Sequence, residues 1–134
     1  MQENAKSRPK PTISVGETDH ERLTGLASSV AERMPQISEE LLAELDRARV
    51  VADGSLPENV VRMGSTVCYR TDTEEERTVT LVFPGEADIA EGKVSILTPI
   101  GTALIGLKTG QSIGWTARDG RNHELTIVSV QQSS

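Results

Sequence analysis

The chain contains 134 residues, which suggests one compact domain or a small domain with an appendage. Aromatic residues make up 2 % of the sequence, which nearly excludes a site built from several aromatic rings, such as a groove for single-stranded nucleic acid. The formal net charge of −6 argues against direct sequence-specific binding to nucleic acid and against anionic lipid. One cysteine and no apolar run of about 18 residues favour a cytoplasmic protein that is not attached to a membrane.

The N-terminal segment predicts a tail, a short strand and a first helix. Residues 1–11 are polar and weakly basic, so we expect a disordered tail. Residues 12–15 alternate and are β-branched, which favours a strand. Thr18 and Glu21 have the form of a capping box at the start of a helix. One apolar stripe follows at helical spacing: Leu23, Leu26, Val30 and Met34.

A second helix is predicted after a short link. Pro35 is expected to end the first helix and Ser38 to cap the second. Gly54 is expected to end the second helix, so residues 12–53 form a strand and an antiparallel helical hairpin. The hairpin either projects as a rod into a partner or folds back to complete the core. Its second apolar stripe contains Leu41, Leu42, Leu45, Ala48 and Val51.

Residues 54–134 are richer in glycine and predict a β domain. Alternation and turn residues predict strands at 60–70, 77–83, 93–97, 112–117 and 123–130. The first two strands should form a hairpin, and the last two should be joined by a turn at residues 119–120. Helical spacing between residues 99 and 107 predicts one short helix. The chain is therefore expected to have an α+β fold, in which a helical hairpin precedes an antiparallel sheet with one short helix.

The residues with chemical potential do not assemble into an enzyme site. The acidic turn at 72–76 is typical of a solvated loop, and His20 and His123 lack metal-ligand spacing. Cys68 is interpreted as a small buried apolar residue. The glycines at 101–110 lack the ending of a phosphate loop. We therefore expect no catalytic residue, no metal and no cofactor.

From residue 60 onward the sequence resembles the C-terminal domain of the Gre transcription elongation factors. The resemblance rests on blocks in a matching order: VVRMGSTV at 60–67, TLV at 80–82, PGEAD at 84–88, GKVSILTPIGTALIG at 92–106 and KTG at 108–110. The resemblance implies an FKBP-like fold for residues 54–134. That fold also suggests prolyl isomerase activity, but fold alone does not establish an activity.

The N-terminal half resembles the Rnk family, relatives with a short hairpin that are named as regulators of nucleoside diphosphate kinase. The matching segments are TISV at 12–15, DHERL at 19–23, LLAELDRA at 41–48 and PENVV at 57–61. With these segments the resemblance covers most of the chain. It implies a monomer that binds bacterial RNA polymerase at the entrance of the secondary channel, and its name suggests nucleoside diphosphate kinase as another partner.

The resemblance places the docking loop at Thr98, Pro99 and Ile100, flanked by Leu97 and Gly101. Threonine replaces the serine of Gre factors and keeps the hydroxyl group. Some Gre factors have aspartate at the position of Leu97, so an ion pair made there would be lost. The alternative is that Pro99 and Gly101 only shape a turn.

Gre factors promote transcript cleavage with acidic residues at the hairpin tip, which help to hold a second Mg²⁺ in the polymerase. Here the predicted tip contains Met34, Pro35 and Gln36, and Glu39 and Glu40 follow in the first turn of the next helix. Because these carboxylates suit the helix dipole and the hairpin is short, we expect no stimulation of cleavage but competition with Gre factors. A truncated cleavage factor and direct action on the kinase are the alternatives.

Overall fold

The computed structural model describes residues 10–117 and 119–132, which form an α+β fold as predicted. The regular elements in chain order are β1 (Ser14–Gly16), α1 (Glu17–Ser29), α2 (Pro35–Arg47), β2 (Arg49–Val51), β3 (Thr66–Thr71), β4 (Glu76–Val82), β5 (Lys93–Ser95), α3 (Pro99–Leu104), β6 (Ser112–Thr116) and β7 (Asn122–Gln131). Single 3-10 turns occur at Asp53–Ser55, Pro84–Glu86 and Ile89–Glu91.

The helical hairpin forms, but both predicted boundaries at its turn are wrong. The first helix ends at Ser29 and Pro35 is the first residue of α2, where the missing amide proton of proline costs no helical hydrogen bond. Ser38 does not cap α2. Its buried hydroxyl group donates to the carbonyl oxygen of Ala27 at 2.7 Å and so joins the two helices.

The predicted capping box at the start of α1 is also wrong. Gly16 occupies the cap position and no side chain of the first turn caps the helix. Instead, the amide of Thr18 donates to Asp53 Oδ1 at 3.0 Å, and its hydroxyl group donates to Asp53 Oδ2. A carboxylate that is distant in sequence therefore satisfies the helix terminus, because the segment after β2 returns to it.

The short strand predicted at residues 12–15 is present as β1, but it does not join the main sheet. It pairs in parallel with β2, with Ser14 opposite Arg49 and Val15 opposite Val50. The second helix ends at Arg47, so Val51 lies in a strand and not in the predicted helix. Gly54 accordingly lies in a 3-10 turn and does not end α2.

The main sheet has the strand order β5-β4-β3-β7-β6. The predicted hairpin of β3 and β4 is confirmed, with Thr66 opposite Thr80. The predicted strand at 60–70 begins only at Thr66, because Gly64 turns the chain with a φ of 89°. β5 pairs with β4 in parallel, so the sheet is mixed and not wholly antiparallel. Two 3-10 turns between them bring the chain back beside the last residues of β4, where Lys93 lies opposite Thr80.

Both halves of the chain share one hydrophobic core. The helices contribute Leu23, Ala27, Leu41 and Leu45, each at most 2 % exposed, which pack in one cluster with residues of β3, β4 and β7. The inner face of the hairpin therefore completes the core. Of the two alternatives for the hairpin, the structure shows the one in which it folds back on the β domain. Within the described ranges, no helix has the length and apolar character needed to cross a membrane.

Candidate functional site

The predicted docking loop is the segment that leads from β5 into α3. Thr98 caps α3: its Oγ1 accepts a hydrogen bond from the amide of Gly101 at 3.1 Å and donates to the carbonyl oxygen of Ser95 at 2.7 Å. The Thr102 hydroxyl group donates to the carbonyl oxygen of Ile96 at 2.9 Å. These bonds fix the start of α3 against the end of β5, so the loop has one defined shape.

Gly101 is required by the close approach of two backbone segments. A Cβ atom at this position would lie 2.2 Å from the carbonyl oxygen of Ser95 and 3.0 Å from Ile96 Cα. Gly101 and Leu97 are buried, with Leu97 only 7 % exposed. Of the five predicted docking residues, only Thr98, Pro99 and Ile100 therefore reach the surface, and all three are half-buried.

The turn of the hairpin comprises residues 30–34 and precedes most of the predicted tip. Met34 is half-buried against the core, whereas Pro35 and Gln36 are exposed in the first turn of α2. Glu39 and Glu40 lie about 6–8 Å further along the helix axis than Pro35, at ~1.5 Å per residue. Glu39 is exposed, and Glu40 accepts a hydrogen bond from the side-chain amide of Gln36 at 3.4 Å.

The turn itself has almost no net charge. Its only carboxylate is that of Glu32, which is followed directly by Arg33, and both residues are exposed. Within residues 10–117 and 119–132, no group of three or more His, Cys, Asp or Glu side chains is arranged to hold a metal ion. The tip thus differs from the acidic tip that the resemblance to cleavage factors would require.

The structure brings Glu40 and Pro99 to the same groove, which sequence reasoning did not predict. The groove has a volume of about 840 Å³ and lies between α2, α3 and the β6–β7 hairpin. Trp115 stacks on His123 at its mouth, with ring centroids 5.1 Å apart and an interplanar angle of 29°. The predicted turn at residues 119–120 was the signal that could have placed these two rings opposite each other.

Glu44 is a buried carboxylate beside this groove, and its side chain is 4 % exposed. It accepts from Lys10 Nζ at 2.8 Å and from Arg47 Nη2 at 2.8 Å, so its charge is compensated. Arg47 also donates to the carbonyl oxygen of Pro11 at 2.6 Å. The last two residues of the predicted tail, 10 and 11, are thereby attached to α2, while residues 1–9 lie outside the described residues.

The remaining candidate residues have structural or solvent-exposed positions. His20 Nε2 lies 3.1 Å from the carbonyl oxygen of Leu45 at the end of α2. The turn at 72–76 is exposed, as predicted for a solvated loop. Cys68 is half-buried, so the expectation of a fully buried residue is wrong; its side chain lies on the face of β3 opposite the core.

Comparison with known protein families follows the division of the chain into hairpin and β domain. Residues 56–132 match the family "Transcription elongation factor, GreA/GreB, C-term", and residues 11–51 match "Rnk N-terminus". The "Regulator of nucleoside diphosphate kinase" of Escherichia coli (strain K12) is 34 % identical over 91 % of this chain and 90 % of the relative. The "Transcription elongation factor GreA" of Thermodesulfovibrio yellowstonii is 43 % identical over 69 % of this chain, but the match spans only 60 % of that relative.

Solved structures with similar folds include one whose sequence is also similar. A "Prokaryotic transcription elongation factor GreA/GreB from Nitrosomonas europaea" is 40 % identical, with a TM-score of 0.72 over 91 % of this chain and 99 % of that chain. Thermus aquaticus Gfh1 shares the fold at 21 % identity and a TM-score of 0.50, over 90 % of this chain and 98 % of that chain. The chain therefore belongs to the GreA/GreB transcription elongation factor family, and it combines the C-terminal domain of that family with an Rnk-type N-terminus.

Proposed function

We propose that this chain is a non-enzymatic transcription regulator that binds bacterial RNA polymerase at the entrance of the secondary channel. Membership in the GreA/GreB family supports a role in transcription, and the relatives are named as regulators or elongation factors. On this proposal the β domain docks on the rim of the channel, and the turn of the hairpin, whose helices pack on the β domain, lies at the channel entrance. The chain acts as a monomer in the cytoplasm, where the polymerase is found.

The observation that carries this proposal is the rigid turn at the start of α3. Hydrogen bonds of Thr98 and Thr102 hold it, and the close approach at Gly101 leaves it little room to move. A preorganised surface turn loses little conformational entropy when it binds a partner. Pro99 and Ile100, both half-buried, offer apolar area for such a contact.

The hairpin geometry supports binding without stimulation of transcript cleavage. Each helix has 13 residues, so the hairpin is about 20 Å long. Its turn contains Glu32 and Arg33, whose opposite charges leave it with no net charge, and Glu39 and Glu40 lie back along α2. A chain that occupies the channel entrance without supplying carboxylates to the polymerase metal site would compete with factors that do supply them.

The first test is binding to bacterial RNA polymerase core enzyme, with a Gre factor as competitor. Pro99→Asp should weaken binding at least tenfold, about 1.4 kcal/mol, because it places a charge in the contact. Pro84→Asp is the matched control, since Pro84 is also the first residue of a short helical turn but lies in a different loop. Absence of a complex at micromolar concentration, or simultaneous binding of both factors, would refute the proposal.

The second test concerns the hairpin tip and separates a regulator from a truncated cleavage factor. In a backtracked transcription complex, the wild-type chain should produce no more transcript trimming than polymerase alone. If trimming is stimulated and is lost in the Glu39→Gln/Glu40→Gln double variant, the chain acts as a cleavage factor. The same assay with added Gre factor should show inhibition by competition.

Direct action on nucleoside diphosphate kinase is the second candidate function. It is favoured by the name of the relative that is 34 % identical over 91 % of this chain. A pulldown with purified kinase and with polymerase core enzyme, each at the same concentration, distinguishes the candidates. Binding to the kinase and not to the polymerase would replace the proposal above.

A further inference from the structure

β6 is an edge strand of the main sheet. Its pairing with β7 determines which backbone amide and carbonyl groups of β6 have no hydrogen-bond partner in the sheet. The amide of Ala117 donates to the carbonyl oxygen of Arg121, and the amide of Ile127 donates to that of Gln111, both at 2.9 Å. In an antiparallel pair, every second residue directs its amide and carbonyl groups to the partner strand. The odd-numbered residues from 111 to 117 therefore face β7.

The even-numbered residues of β6 direct their backbone groups away from β7. These residues are Ser112, Gly114 and Thr116, and among the described residues no backbone group pairs with them. Gly114 and Thr116 are also exposed. An unpaired edge of this kind is a template for another strand.

The opposite edge of the same sheet is closed by local contacts. Lys93 in β5 exchanges two backbone hydrogen bonds of 2.9 Å with Asp88, and the carbonyl oxygen of Ser95 accepts from the amide of Thr98 at 3.2 Å. The molecule therefore protects one edge and leaves the other open. This asymmetry points to β6 as the edge available for pairing.

The open edge forms one wall of the groove described above. All five residues of β6 line it, so the wall is about 17 Å long at ~3.3 Å per residue. Glu40 and Ala43 of α2, with Pro99 and Thr102 of α3, form the opposite side. The volume of about 840 Å³ lies in the range of typical ligand sites, about 300–1,000 Å³.

The charges of the groove favour a cationic occupant. Among the described residues that line it, Glu40 and Asp72 bring carboxylates to the groove, whereas the charge of Glu44 is already compensated by Lys10 and Arg47. Lys10 lies with its Nζ 2.8 Å from Glu44 Oε2 while its side chain stays 51 % exposed. The Lys10–Glu44 pair therefore places one ammonium group on the α2 side of the groove.

We propose that this groove binds an extended basic segment of a protein partner, which adds to the sheet as a strand beside β6. Backbone hydrogen bonds to the even-numbered residues of β6 supply affinity, and the carboxylates of Glu40 and Asp72 select lysine and arginine side chains. The stacked rings of Trp115 and His123 offer a flat surface that the aliphatic part of those side chains covers. This inference does not depend on the polymerase complex, because a synthetic peptide tests it.

The probe is acetyl-Thr-Lys-Val-Lys-Val-Lys-Thr-amide, which lacks aromatic groups. Trp115 is the only tryptophan of the chain and lines the groove, so its fluorescence should change and saturate as the peptide is added. Amide hydrogen exchange should slow at Ser112, Gly114 and Thr116, while the amides directed to β7 change little. N-methylation at alternate peptide positions should abolish binding in one register and spare it in the other, because only one set of amides faces β6.

Charge selection is tested with the same peptide carrying glutamate in place of lysine, which should not bind. Glu40→Gln should weaken binding of the lysine peptide about two- to fivefold, as expected for one exposed ion pair. Glu21→Gln is the control, because it removes the same charge from the exposed face of α1. This variant should bind the lysine peptide as tightly as the wild type does. Absence of saturable binding, equal tolerance of both N-methylation patterns, or slowed exchange outside β6 would each overturn the proposal.

Discussion

Gly101→Ala probes whether the start of α3 depends on close backbone packing. In an ordinary helix this substitution stabilises by up to about 1 kcal/mol, because alanine loses less conformational entropy on folding than glycine. Here the new Cβ atom would lie 2.2 Å from the carbonyl oxygen of Ser95, well below the 3.0 Å that such contacts reach. The obstacle is backbone, so it cannot yield by a change of rotamer.

We expect the clash to outweigh the gain in helix propensity and to cost about 1–3 kcal/mol, the usual range for overpacked sites. For a chain of this size, each kcal/mol lowers the midpoint of thermal unfolding by about 4 °C. Displacement of α3 from β5 should also disturb Pro99, so binding to RNA polymerase should fall under conditions where the variant is still folded.

Urea and thermal unfolding of Gly101→Ala and Gly25→Ala measure the effect directly. Gly25 lies within α1, and a Cβ atom there would meet no atom within 4 Å. Gly25→Ala should therefore stabilise the protein, whereas Gly101→Ala should destabilise it. Equal or greater stability of Gly101→Ala relative to the wild type would refute the packing argument.

Three further predictions concern charge and burial. Glu44→Gln should cost about 1–3 kcal/mol in urea unfolding, because Arg47 loses a charged hydrogen-bond partner; an unchanged midpoint would contradict this. Hydrogen bonds from Thr18 lower the pKa of Asp53 below 3.8, so this stabilisation is present at neutral pH and lost as the pH falls below 3.8. Asp53→Asn should remove that part of the acid dependence of stability. Burial raises the pKa of Tyr69 above 10.0, so ionisation of this phenol favours the unfolded state at alkaline pH. As the pH rises above 10.0, stability in alkaline unfolding should fall more steeply in the wild type than in Tyr69→Phe.

Helix existence could be predicted from local sequence, but helix boundaries could not. The stripes containing Leu23 and Leu41 repeat at helical spacing, and both residues are buried. Pro35 is compatible with ending one helix or beginning the next, and local sequence does not choose between them. Val51 continues the apolar stripe of α2 yet lies in β2, because pairing with β1 replaces helical hydrogen bonds.

For the candidate site, the sequence motif indicated which turn to propose as the docking turn, but not how accessible its residues are. The contrast between half-buried Pro99 and buried Leu97 depends on how α3 packs on β5. The groove could not be predicted from the sequence either, because it also depends on how the elements pack together. Its walls come from α2, α3 and β6, which are distant in sequence, and their spacing is set by the packing of the core.

The sequence by itself determined the α+β class, the hairpin of β3 and β4, and the family, because periodicity, turn residues and motifs are local properties of the chain. Only the tertiary structure decided that Asp53 caps α1, that β5 runs parallel to β4, and that the edge of β6 stays open beside a groove. Each of these features joins segments far apart in sequence. Their geometry follows from burying both halves in one core, which no local pattern encodes.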